Sequence, residues 1–296
     1  MNTMAMVETR VPISGRILWP FAKRFVAGTV LEQALAAVES FNRKGYKTTL
    51  DMLGEDVLEE SKARQSAEQY VVMIKSLAAR GLDKNVSVKL TQMGLEIDKG
   101  LCLENVRKIA NEVKEQGGFL RIDTEGSATT SRTFDIVREL KKEGLPVGAV
   151  VQVMLRRSPK DITLLLEDNI PIRLCKGAYK EPKDIAYTDM GDIRRQYVSL
   201  MQRLLTSGIY HGIATHDRKL IDATREFAVR EKIPKSAFEF QMLLGLGLGM
   251  QKELVREGWN LRLYVPYGSH WLPYCWRRLR EKKENILFMV KGVLGI

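Results

Sequence analysis

Val86-Ser-Val-Lys-Leu90, a helical pattern over about 102–116, then Gly117-Gly118 and Phe119-Leu-Arg-Ile-Asp123 make up the unit from which this chain is built. The two short apolar runs read as strands. The amphipathic segment between them is too long for a hairpin and long enough for a crossover helix. Strand, helix, strand in that order calls for a parallel pair of strands.

The same alternation runs outward in both directions. Upstream lie a helix over about 29–42 with Leu31, Ala34, Leu35 and Val38 on one face, then Gly45, the strand Lys47-Thr-Thr-Leu-Asp51 and a long amphipathic helix over about 56–80. Downstream, helices near 130–143, 159–168, 189–207, 217–230 and 245–257 separate strands at 148–153, 170–176, 210–215, 237–241 and 260–265. Counting from Lys47 gives eight strands, each followed by a helix, with no Pro/Ser-rich linker between them. The expected fold is therefore α/β, a closed (β/α)8 TIM-like barrel over 46–296 preceded by an N-terminal helical arm over 1–45. The competing doubly wound open sheet would place a GxGxxG turn after the first strand, and none stands there.

The chain's 296 residues are 45% hydrophobic and 28% charged, a soluble globular composition. Cys102, Cys175 and Cys275 are an odd, scattered set, which argues for a reducing compartment and against disulfides or zinc. With His211, His216 and His270 equally scattered, no metal centre is expected. The formal net charge of +11 comes from Lys and Arg spread along the whole chain, without a nucleic-acid-binding signature. Neither a secretory leader nor an apolar run of membrane-spanning length is visible. The expectation is a cytoplasmic protein, with an anionic membrane surface left open as a docking place.

A barrel enzyme works at the C-terminal ends of its strands. Those ends carry Lys89, Asp123, Gln152, Arg173 and Lys176, then Thr215 and His216, and finally Tyr264. A charge at such a position must be paired or must bind something, because lone burial is costly. The set is mostly positive, which points to an anionic ligand. Beyond the last strand comes Tyr264-Val-Pro-Tyr-Gly-Ser-His-Trp-Leu-Pro-Tyr-Cys-Trp-Arg-Arg-Leu-Arg-Glu281. Pro266 and Gly268 end the strand, and Ser269 can cap a helix starting at about His270. Tyr274, Arg277, Arg278 and Glu281 share one face of that helix. Two adjacent guanidinium groups beside aromatics suit a planar carboxylate; the same spacing also fits a solvated face where Glu281 bridges to the arginines. Gly245-Leu-Gly-Leu-Gly249 lacks the Lys-Ser/Thr of a phosphate cradle and reads as helix packing, while Met154 and Trp276 read as core. On these grounds alone a phosphosugar aldolase or isomerase, with Lys89 or Lys176 forming a Schiff base, and a basic membrane-docking scaffold using the apolar tail segments Ile286–Val290 and Val293–Ile296 stay open.

Tyr-x-Pro-Tyr-Gly-x-x-Trp-x-x-Tyr-x-x-Arg-Arg-x-x-Glu, as it stands at 264–281, resembles the signature helix of the proline dehydrogenases. Thr49-Leu-Asp51 with Leu53-Gly-Glu55, Ser87–Leu90, Arg121–Glu125, Val151-Gln152, Arg173–Tyr179, Ala214–His216 and Phe238–Leu243 match that family in order. The resemblance implies a distorted barrel binding FAD non-covalently. The implied reaction oxidises L-proline to Δ1-pyrroline-5-carboxylate by hydride transfer to flavin N5, with electrons passed to a membrane quinone. It also implies handover of product to a separate pyrroline-5-carboxylate dehydrogenase, since no such module follows. Carried over by position, Arg277, Arg278 and Lys89 hold the substrate carboxylate and Asp123 pairs with this basic cluster. Tyr179, Leu243, Tyr264 and Tyr274 wall the pyrrolidine ring. Gln152, Arg173, Lys176, Thr215 and His216 contact the flavin, with Arg173 at the N5 edge, and Glu281 reaches the ribose side. Tyr264 stands where hydroxyproline-preferring relatives carry a smaller residue. One departure is Gln152-Val-Met154 in place of the frequent Gln-Ala-Tyr, a change beside the flavin rather than at the carboxylate clamp.

Overall fold

A computed structural model describes residue 19 and residues 22–275. The strands are β1 (Lys47–Met52), β2 (Asn85–Lys89), β3 (Phe119–Asp123), β4 (Val147–Gln152), β5 (Ile172–Cys175), β6 (His211–Ala214), β7 (Phe238–Leu243) and β8 (Leu261–Tyr267). They pair in sequence order, all parallel, and β8 closes the ring on β1 over the full length of β1. Helix α1 (Leu31–Arg43) precedes β1. Helices α2 (Glu60–Ala79), α3 (Lys99–Glu115), α4 (Ser127–Lys142), α5 (Ser158–Glu167), α6 (Met190–Leu205), α7 (Arg218–Arg230) and α8 (Leu248–Arg256) fill the crossovers. The expected closed (β/α)8 barrel is thus the observed fold. No helix among the described residues is long and apolar enough to cross a membrane.

Side chains on a strand alternate between two faces, and here each face has its own chemistry. Leu50, Val86, Val88, Leu120, Ile122, Val147, Ala149, Ile172, Leu174, Ile213, Phe240, Leu263 and Val265 are almost fully buried. They face the helices, so the main core lies between the barrel and its helical ring. Each such Leu, Ile or Val is worth about 1.5–3 kcal/mol in burial. The alternate positions, among them Ser87, Arg121, Arg173, Glu239, Gln241 and Arg262, are also buried but polar, and all of these except Arg121 are linked by side-chain hydrogen bonds inside the barrel.

Glycines make room for this polar interior. A Cβ on Gly148 would lie 2.5 Å from both Arg121 Nη1 and the Pro171 carbonyl oxygen. Arg121 already donates to the Ala149 and Pro171 carbonyls, so neither neighbour can yield. Gly148→Ala is expected to destabilise the protein by about 1–3 kcal/mol, the usual cost of overpacking. A urea midpoint equal to the parent's would contradict this.

The structure departs from the sequence reading at several element ends. Helix α2 starts at Glu60 rather than near 56, because Asp56 takes a left-handed φ of 55° and its N–H donates to Thr91 Oγ1. β8 runs through Pro266 to Tyr267. Its pairing with β7 ends at Tyr264, so Pro266 faces a strand partner only on the β1 side and its missing N–H costs nothing there. Of the Gly245–Gly249 run, read from sequence as helix packing, Gly245–Gly247 form the turn after β7 and Leu248-Gly249 open helix α8. Gly245 and Gly247 have φ of +78° and +67°, and helix α8 begins only at Leu248. Gly245 also lies against the Arg24 backbone so closely that a Cβ would overlap it.

A second, smaller apolar cluster joins the N-terminal segment to the far end of the chain. Ala22, Phe25 and Val26 pack with Leu53, Trp271, Tyr274 and Cys275, and the rings of Trp19 and Trp271 are 5.3 Å apart. The helix predicted from about His270 is helical over 271–275; Arg277, Arg278, Glu281, Trp276 and the apolar tail lie outside the described residues.

Candidate active site

The inner faces of β1, β2, β3, β5, β7 and β8 bring seven polar side chains together near the C-terminal ends of the strands. Lys89 Nζ is 3.2 Å from Asp51 Oδ1. Across the barrel Arg173 Nη1 donates to Asp123 Oδ1 at 2.7 Å, its Nη2 to Ser87 Oγ at 3.1 Å and its Nε to Gln241 Oε1 at 2.5 Å. The guanidinium carbon lies 5.2 Å from the centre of the Tyr264 ring, and the Tyr264 hydroxyl donates to Asp123 Oδ2 at 2.8 Å. Arg173 is thus held on three edges and packed on one face.

Burial works against the Lys89 ammonium, but the carboxylates of Asp51, Asp123 and Glu125 outweigh it and raise its pKa. Lys89 therefore stays charged. Burial pushes the Asp51 carboxyl up, Lys89 pulls it down and Asp123 pushes it up again, for a net rise. Burial also raises Glu125 despite hydrogen bonds from Thr91. Tyr264 is raised well above the ordinary phenol value by burial, then by Asp123 and Asp51, so its hydroxyl remains a donor. A tally of strand-end charges that includes Asp51 and Glu125 corrects the expectation of a mostly positive mouth. Among the described residues, Lys89 and Arg173 are already matched by carboxylates, and a further anionic ligand needs further cations.

A second group stands at the ends of β4 to β6. Gln152 Nε2 donates to the Glu125 carbonyl at 2.7 Å and its Oε1 accepts from Ala178 N at 3.3 Å. Lys176 Nζ and Arg194 Nε converge on one oxygen of Asp217, at 3.2 and 2.8 Å. Asp217 caps α7, and Thr215 Oγ1 accepts from the Asp217 N–H. His216 Nε2 accepts from Leu243 N at 3.0 Å, which places the proton of a neutral ring on Nδ1. The Met154 side chain fills the space over Gly177, where a Cβ would meet its sulfur at 2.5 Å. Met154 is buried, as read from the sequence.

Of the residues singled out by sequence, Lys89, Asp123, Arg173 and Tyr264 meet in the first network, and Gln152, Lys176, Thr215 and His216 form the second. Leu243 ends β7 between them, Tyr179 is half-exposed on the loop after β5, and Tyr274 belongs to the N-terminal cluster. Sequence reasoning gave no role to Asp51, Ser87, Arg194, Asp217, Glu239 or Gln241. The signal for four of these was the period of two: Asp51, Ser87, Glu239 and Gln241 share a strand face with inward residues. A groove lined by Arg225, Val229, Lys235 and Trp259 opens at the opposite end of the barrel, away from this chemistry.

The family model described as proline dehydrogenase matches residues 34–291. Proline dehydrogenase 1 of Bacillus subtilis subsp. natto is 39% identical over 273 residues, covering 92% of this chain and 90% of the relative. Proline dehydrogenase of Deinococcus radiodurans is 38% identical over 282 residues, covering 94% and 91%. Among solved structures, proline utilization A (PutA) from Bdellovibrio bacteriovorus, inactivated by N-propargylglycine, superposes with a TM-score of 0.83 at 27% identity. That match covers 88% of this chain but 32% of the PutA chain, so this chain spans about a third of that protein. The family model over most of the chain and these relatives show that the chain belongs to the proline dehydrogenase family.

Proposed function

We propose that this protein oxidises L-proline to Δ1-pyrroline-5-carboxylate in proline catabolism, with FAD as its bound oxidant and a membrane quinone as the final electron acceptor. The observation that carries this reading is the Asp123–Arg173–Tyr264 constellation, buried at the mouth of a barrel of this family. The donor set fits FAD. Around β4–β6 it offers Lys176 and Arg194 against the single carboxylate of Asp217, plus the amide of Gln152 and the His216 ring. Such a surplus of cationic donors suits a phosphate-bearing dinucleotide. When bound, FAD supplies the two-electron acceptor for the substrate.

The chain's own residues do the orienting. Lys89, kept protonated by its carboxylate neighbours, joins Arg277 and Arg278 in holding the proline carboxylate. Asp51 holds Lys89 in place, and Asp123 does the same for Arg173. Tyr264 covers the Arg173 face and excludes water, and with Tyr179, Leu243 and Tyr274 it walls the pyrrolidine ring. Arg173, Gln152, Lys176, Thr215 and His216 contact the flavin, and Glu281 its ribose side. The amine proton leaves to solvent. The same reading divides the chain into an arm, 1–45, and a catalytic barrel, 46–296. It places the protein in the cytoplasm, docked peripherally on the membrane that holds the quinone, with product passed to a separate pyrroline-5-carboxylate dehydrogenase.

The visible spectrum of the purified holoenzyme tests the proposal. Under anaerobic conditions L-proline should bleach the flavin band, and trans-4-hydroxyproline at the same concentration should not. A colourless protein that cannot be reconstituted with FAD would overturn it. The clamp is tested by Lys89→Met, which should raise the proline KM by about 10- to 100-fold, the worth of one charge-assisted hydrogen bond. An unchanged KM removes Lys89 from the carboxylate site.

A further inference from the structure

Gln241 lies inside the barrel, 5% exposed, and both ends of its amide are engaged. Its Oε1 accepts from Arg173 Nε at 2.5 Å and its Nε2 donates to Glu239 Oε1 at 2.6 Å. The sense of this amide is forced by chemistry. A guanidinium only donates and an ionised carboxylate only accepts. Turning the amide over would set NH₂ against Arg173 and oxygen against Glu239. Glu239 is fixed in turn by Arg262 Nε at 2.7 Å and by the Tyr210 hydroxyl at 3.0 Å.

Asp123 and Ser87 hold the two terminal nitrogens of Arg173, which leaves its plane free to tilt about the line between them. A third contact at Nε removes that freedom. Because the third acceptor is a neutral amide, it fixes the guanidinium without adding a second carboxylate to quench its charge. Gly212, on the neighbouring strand, leaves the space the amide needs; a Cβ there would overlap it.

We infer that Gln241 is a positioning residue, aiming the Arg173 charge at the flavin without setting a second carboxylate beside Asp123 against it. This rests on the assignment of Arg173 to the flavin made above. The test compares Gln241→Met and Gly212→Ala with Arg173→Met, each as FAD-loaded enzyme. The midpoint potential of the bound flavin is measured together with Tm and FAD content. Gln241→Met removes the acceptor, and Gly212→Ala displaces it while leaving every Arg173 partner in the sequence.

Both variants should move the potential in the same negative direction as Arg173→Met, but by less, because a mis-aimed cation stabilises the electron-rich reduced flavin less well. Flavin reduction by proline should slow about tenfold, with the proline Kd within twofold of the parent's. A lower Tm with an unmoved potential in both variants would make Gln241 merely structural and overturn the inference. A potential that Arg173→Met also leaves unmoved would remove Arg173 from the flavin, and the positioning role with it. If Gln241→Met does not fold, Gly212→Ala decides by the same readings.

Discussion

Arg173→Met is expected to lower kcat/KM for proline by about 10²- to 10³-fold and to reduce unfolding free energy by about 3–5 kcal/mol, the cost of breaking a buried ion pair. Both effects follow from one arrangement. Arg173 is 6% exposed and its partner Asp123 is joined otherwise by the Tyr264 hydroxyl. With the guanidinium gone, that carboxylate stays inside the barrel near Asp51, a like charge. A neutral thioether cannot replace the three hydrogen bonds or the cation over the Tyr264 ring. Steady-state kinetics and urea unfolding read the two effects separately. A variant within twofold of the parent in kcat/KM would exclude Arg173 from the chemistry.

The other large effect is expected deeper in the barrel, at Arg262. Its Nε meets Glu239 and its Nη1 meets Asp83 at 2.6 Å, with Glu239 3% exposed. Arg262→Met leaves Glu239 without its ion-pair partner and should cost about 3–5 kcal/mol, while the double variant with Glu239→Gln should regain much of it. The pH dependence should change sign as well. In the parent, burial pushes the Glu239 carboxyl up, but Arg262, Gln241 and Tyr210 outweigh it and hold its pKa below the usual range. Its contribution to stability is then present above the unfolded carboxyl value and lost as pH falls through the lower folded one. Without Arg262, burial wins and the folded pKa lies above the unfolded one. Acidification through that window should then stabilise the variant. Urea midpoints at several pH values distinguish the two slopes, and parallel slopes would contradict the assignment of Glu239 to this pair.

The sequence showed the fold plainly because each strand–helix unit carries its own punctuation, such as Gly117-Gly118 before β3 and Gly144 before β4. Element ends were less legible. The start of α2 depends on a left-handed Asp56 held by Thr91, and the end of β8 depends on which neighbour stops pairing first. Neither is local information. Lys89, Asp123, Arg173 and Tyr264 could be found because charges and phenols at apolar strand ends stand out. Their partners could not be assigned by the same means. Asp51 reads as a strand end reaching solvent until the ring closes and sets it beside Lys89. Gln241 and Glu239 read as one polar face of a strand whose other side is apolar, and only closure puts that face inside.

The division of each strand into a helix-facing apolar side and an inward polar side also constrains how this chain can vary in length. Inserting or deleting one residue within a strand exchanges its two faces beyond the change. In β8 that would drive Arg262 or Tyr264 into the apolar layer and leave Leu263 among charges. A deletion-tolerance scan should therefore show a gap at every strand, including those that contribute nothing to the mouth. Length changes should be confined to the loops and outer helix ends, so natural and designed variants of this barrel must differ there while keeping the strand core residue for residue.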